Sequence, residues 1–113
     1  MNTPITISWE DLSSTDDSTR RKLAVQWARE YCAKANWTDP RSLAAIDTAE
    51  RLANGKASLH DLALARVSAA QANDERRIKG STAKETIAAE LAIACAAENS
   101  LYAARCCIPM EEF

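Results

Sequence analysis

Two glycines, three prolines, one histidine and six aromatic residues are all that this 113-residue chain contains of those types. Each shortage excludes something. Gly55 and Gly80 stand far apart, so no glycine-rich loop can cradle a phosphate. His60 belongs to no Glu-x-x-His motif, and its spacing to Cys32, Cys95 and Cys106 selects no nucleophile dyad. The four cysteines form no C-x-x-C, and the adjacent pair Cys106–Cys107 is poor ligand spacing. No catalytic, cofactor or metal residue is therefore assigned, and the thiols are read as reduced, small buried hydrophobes. No apolar run approaches the ~20 residues of a bilayer span. Residues Met1 to Ser8 lack the basic and apolar regions of a secretory signal. A cytoplasmic, non-enzymatic protein is expected.

Large apolar side chains are scarce as well. Leu, Ile, Val and Phe together number 19, whereas alanine alone numbers 23. From Leu43 to Ala104 the alanines recur every three or four positions, the helical period. Alanine has the best helix propensity, and its small side chain lets helix axes approach the lower end of the usual ~8–10 Å. Each buried alanine contributes only ~0.8 kcal/mol. Close packing must replace bulk, or a second copy in a homo-oligomer must add buried area. The net charge of −2, from 14 basic and 16 acidic residues, lacks the basic footprint of a dedicated nucleic-acid binder.

The pattern predicts a single all-α domain over residues 1–113, a small up-down bundle of four helices behind an extended N-terminal arm. In the arm, residues 1–13, Ile5, Ile7 and Trp9 alternate with Thr6 and Ser8. Ser14 and Asp17 are spaced as a capping box, and the first helix should run from Asp17 to Ala35 with Leu23, Trp27, Tyr31 and Ala35 along its core stripe. Asp39-Pro40 starts a second helix that carries Leu43, Ile46, Ala49 and Ala53 and stops at Asn54-Gly55. Ser58 and Asp61 box the third, whose core face reads Leu62, Ala65, Ala69 and Ala72 before Gly80 closes it. Thr82 and Glu85 box the fourth, expected to run to Cys107, ~25 residues and ~37 Å, with Ile87 and Leu91 on its core face. Residues 108–113 form a short tail.

Most charges are explained by pairing within helices. Asp16–Arg20, Asp17–Arg21, Glu30–Lys34 and Asp47–Arg51 are each four apart with the acid first. The clusters Arg20-Arg21-Lys22 and Arg76-Arg77-Lys79 would serve an alternative function as a nucleic-acid-associated accessory protein. Nearby Asp16, Asp17, Asp74 and Glu75 dilute them, and no aromatic is interleaved for base stacking. The aromatics outside the predicted helices offer more. Trp9, Trp37 and Phe113 fall in the arm, a loop and the tail, where they either pin their segments to a thin core or meet a partner. The candidate protein-binding residues are Trp37, Asp39 and Arg41 at one corner and Met110 and Phe113 in the tail.

The run Asp39-Pro40-Arg41, Ala45-Ile46, Ala49-Glu50-Arg51, Asn54-Gly55-Lys56-Ala57-Ser58, Leu62 and Ala65-Arg66 resembles the alanine-rich helical immunity-protein family of bacteria and phages. The similarity extends over about residues 39–104 through Ala88-Ala89 and Tyr102-Ala103-Ala104. The resemblance implies a non-catalytic helical protein, encoded by a phage or another mobile element. Such a protein works by occluding another protein, a toxin, nuclease or defence component, as an immunity protein or inhibitor does.

Overall fold

The computed structural model of the chain describes residues 10–109. Among these residues the fold is all-helical: a 3₁₀ helix, Glu10–Ser14, precedes α1 (Asp17–Ala35), α2 (Pro40–Ala53), α3 (Leu59–Lys79), α4 (Ala83–Cys95) and α5 (Ser100–Cys107). The all-α expectation holds, and α1 keeps its predicted bounds. The four-helix count does not hold, because the expected fourth helix is two.

Local caps explain most of the boundaries. Asp39 accepts from the Arg41 amide with Pro40 at the first helical position of α2. Ser58 with Asp61 and Thr82 with Glu85 form complete capping boxes on α3 and α4. Gly55 and Gly80, at φ 74° and 87°, supply the left-handed backbone that ends α2 and α3. At α1 the expected Ser14 box is replaced by Asp16, which accepts from the Thr19 amide, while the Ser14 hydroxyl donates to the Asp11 carbonyl inside the 3₁₀ helix. The end of the predicted arm is thus helical, and it anchors itself by the fully buried Leu12 against the core. Residues Ile5, Ile7 and Trp9 lie outside the described residues.

Helix α4 occupies the middle of the assembly and packs against each of the other four α-helices. Its buried side is Ala88, Ala89, Ala92 and Cys95. Ile87, expected in the core, is instead 41% exposed, and Leu91 is half-buried. The reason is steric: a helix surrounded by four neighbours needs small side chains at its contacts, and larger ones are left at the gaps. Bulk comes from the helices around it, through Leu23, Val25, Trp27, Ile46 and Leu62.

The break between α4 and α5 has a definite cause. Arg21, 2% exposed, reaches from α1 and donates through Nη1 to the carbonyls of Cys95 and Ala97 and through Nη2 to Glu98. Arg66 of α3 donates to the intervening Ala96 carbonyl at 3.0 Å. Four successive carbonyls are therefore satisfied from outside, where a continuing helix would use them internally. Asn99 then caps α5 by accepting from the Tyr102 amide at 2.9 Å. Ser100 locks the new start to α1: its hydroxyl donates to Asp17 and accepts from Arg20 Nε.

Candidate binding surfaces

The loop from α1 to α2 gathers three of the residues singled out by sequence. Asn36 takes the left-handed conformation at φ 59° and turns the chain, so that Trp37 packs half-buried against the core. Its indole Nε1 donates to Ser42 Oγ at 2.9 Å. Asp39 accepts from both the amide and the guanidinium of Arg41. Arg41 also grips both oxygens of Glu75 on α3, at 2.9 and 2.7 Å. Glu75 and then Asp39 hold the Arg41 guanidinium charged beyond its already high range. Hydrogen bonds from Arg41 in turn keep both carboxyls below their ordinary values. Trp37, Asp39 and Arg41 do come together, but their hydrogen bonds are directed within the chain and clamp the start of α2 onto α3. What they offer outward is a wall of the polar cleft beside them, about 440 Å³, which Trp37 and Asp39 line with Glu75, Arg76 and Lys79. Met110 and Phe113 lie outside the described residues.

A second depression, about 420 Å³, opens between α1, α4 and α5. Trp27, Tyr31, Ile87, Leu91 and Ile108 give it apolar walls, and Glu30 and Lys34 stand at it as charges. Sequence reasoning missed this groove because it assigned Ile87 and Leu91 to the core.

The third surface is the outer side of α3. Leu64, Val67 and Ile78 are 58%, 55% and 86% exposed. Helical geometry puts them within an arc of about 60° along roughly 21 Å of helix. The signal was present in the sequence, since these residues fall off the Leu62–Ala65–Ala69–Ala72 stripe that became the buried side.

The basic clusters are largely consumed by the fold. Arg21 is buried and Arg20 donates to Ser100, Leu12 and Thr15. Arg76 is buried too, and Arg77 pairs with Asp74 at 3.7 Å. Within the four expected helical pairs no ion pair forms. Two of the acids instead join helices, Asp17 by accepting from Ser100 of α5 and Asp47, beside Glu50, by meeting Arg29 of α1. Asp16 and Glu30 accept within α1.

The cysteines behave as buried hydrophobes at three of four positions. Cys32, Cys95 and Cys107 are buried, and Cys106 is exposed. Burial pushes the Cys32 thiol up to about 11 and the Cys95 thiol to about 12. His60 is exposed in the first turn of α3. Among the described residues no cluster of His, Cys, Asp or Glu is placed to hold a metal ion, and no helix is long and apolar enough to cross a membrane. Comparison with family models, curated proteins and solved structures finds no match to this chain.

Proposed function

We propose that this chain is a non-catalytic protein-binding protein of the immunity or inhibitor type, which occludes a toxin, nuclease or defence component encoded by the same mobile element or its host. The observation that carries this reading is the placement of its few large apolar side chains. A chain with only 19 Leu, Ile, Val and Phe residues fills the contacts of its central helix with alanine and sets Leu64, Val67 and Ile78 on the outside of α3. Single exposed apolar residues need no explanation, but Leu64 and Val67, one turn apart on the arc that also carries Ile78, are apolar area that a chain short of core leaves uncovered. The Trp37–Arg41 corner, tied to α3 through Glu75, stiffens the same side of the molecule. Rigid presentation favours occlusion because little ordering entropy is lost on binding. The engagement of Arg20 and Arg21 inside the fold weighs against the nucleic-acid alternative.

The test is complex formation with the products of adjacent genes, comparing wild type with the double variant Leu64→Ser, Val67→Ser. Both residues are exposed, so the two substitutions together should change stability by no more than about 1 kcal/mol, read from the urea midpoint. Loss of the complex with the fold intact is expected. A complex held equally well by the double variant would remove α3 as the contact, and no complex with any neighbouring product would remove occlusion itself. Light scattering on the protein alone separates a foreign partner from a second copy of the chain.

A further inference from the structure

Arg76 raises a question that the binding reading does not answer. Only 8% exposed, it lies within ion-pair distance of no carboxylate among the described residues. Its Nε donates to Asn73 Oδ1 at 2.8 Å, and its Nη1 donates to Thr86 Oγ1 at 2.9 Å and to Ser81 Oγ. All three acceptors are neutral. Its Nη2 meets no acceptor among the described residues, and the side chain lines the polar cleft. A buried guanidinium without a charged partner is costly, and the unpartnered Nη2 of a residue that lines a cleft leaves two donors for a ligand.

Two of the three carboxylates on the cleft wall are already allotted to a cation. Asp39 and Glu75 on the cleft wall both serve Arg41. Glu85, also on the wall, accepts from the Thr82 amide in the α4 capping box. The remaining cation on the lining, Lys79, makes no short ion pair among the described residues, and its charge is felt by Glu75 four residues before it. Ser81 and Glu85, on either side of the Thr82 cap that starts α4, reach the same space. Trp37 supplies an aromatic wall.

We propose that the cleft between the α1–α2 and α3–α4 connections binds a small oxyanion, a carboxylate or phosphate group, held by Arg76 and Lys79. The guanidinium supplies directed donors and the ammonium a mobile point charge, the usual division of labour at such sites. This site is independent of the α3 contact proposed above.

Titration of the full chain with inorganic phosphate and with acetate, against chloride at matched ionic strength, tests it. The probes are the amide resonances of Gly80 and Ser81 and the Trp37 indole N–H, assigned with Trp37→Phe. A saturable shift is expected with an oxyanion and none with chloride. The midpoint should rise about tenfold in Arg76→Lys and about threefold in Lys79→Met. It should stay unchanged in Arg77→Met, whose guanidinium pairs with Asp74. Lys79 is exposed, so Lys79→Met decides the matter even where Arg76→Lys disturbs folding. A tighter midpoint for phosphate identifies a phosphate-bearing ligand, and a tighter one for acetate a carboxylate. Unsaturable shifts, an equal response to chloride, or midpoints indifferent to both variants would overturn the assignment.

Discussion

An arginine is buried at each end of α4, and the two are treated differently. At the C-terminal end Arg21 meets the carbonyls of Cys95, Ala97 and Glu98, and Arg66 takes the one between. The Cys95 carbonyl lies at the negative end of the helix dipole, and the Asp17 carboxylate adds to it, so the Arg21 charge is answered. At the N-terminal end Arg76 meets an amide and two hydroxyl oxygens beside the positive end of the same helix. There the charge has only the C-terminal end of its own helix α3 in its favour, its three hydrogen bonds all go to side chains, and a cleft stands open. A cation sealed by carbonyls is architecture, and a cation held among neutral groups at a cleft is capacity.

Substitutions at the two ends should separate these roles. The largest effect is expected from Arg21→Met, which strips buried carbonyls of their donors: a loss of about 3–4 kcal/mol, read as a lower urea midpoint at unchanged slope. Arg76→Met should cost less, about 1–2 kcal/mol. Two of its three acceptors have other partners: Thr86 Oγ1 donates to the Thr82 carbonyl at 3.0 Å and lies 3.3 Å from Ser81 Oγ. Equal losses would erase the contrast.

The Arg41 clamp bordering the cleft gives a smaller, pH-dependent effect. Asp39 and Glu75 are held below their ordinary values of 3.8 and 4.5, by Arg41 in each case. A depressed carboxyl contributes its stability in full above its unfolded value and loses it as pH falls through the lower folded value. Acid unfolding of the wild type should therefore steepen below about pH 4, and Arg41→Met should flatten that limb while lowering the neutral midpoint only slightly. An identical acid limb in the variant would show that the clamp contributes nothing. The smallest perturbation is chemical. Cys95, the last residue of α4, is sealed with Cys32 and Cys107, and Cys106 is exposed. One thiol should react quickly with a disulfide reagent in the native protein and all four after unfolding. Fast reaction of Cys95 would mean that the sealed end opens.

Most features encoded within four residues were legible in the sequence, the Asp16 cap of α1 being the exception. The starts of α2, α3 and α4 follow from Asp39-Pro40, Ser58–Asp61 and Thr82–Glu85, whose donors and acceptors are near neighbours. The α4–α5 break was not, because its cause sits 74 residues away on α1. Asn99-Ser100, two cap-type residues inside an alanine-rich run, was the available local hint. Arg20, Arg21 and Lys22 read as one surface cluster, yet successive helical residues diverge by about 100°. Arg21 consequently points into the core and Lys22 into solvent. Arg76 and Arg77 divide in the same way. Of the candidate site, the Trp37–Arg41 corner was readable as a loop aromatic beside a cap. The cleft depends on α3 meeting that corner, which no local pattern contains.

Urea unfolding of wild type, Arg21→Met and Arg76→Met, each with and without inorganic phosphate at matched ionic strength, tests the contrast most directly. Binding to the native state alone raises the midpoint by mass action. The expected result is a larger loss of stability in Arg21→Met that keeps its phosphate-induced gain, and a smaller loss in Arg76→Met that abolishes the gain. Equal losses at the two ends, or a phosphate gain that survives in Arg76→Met, would contradict it.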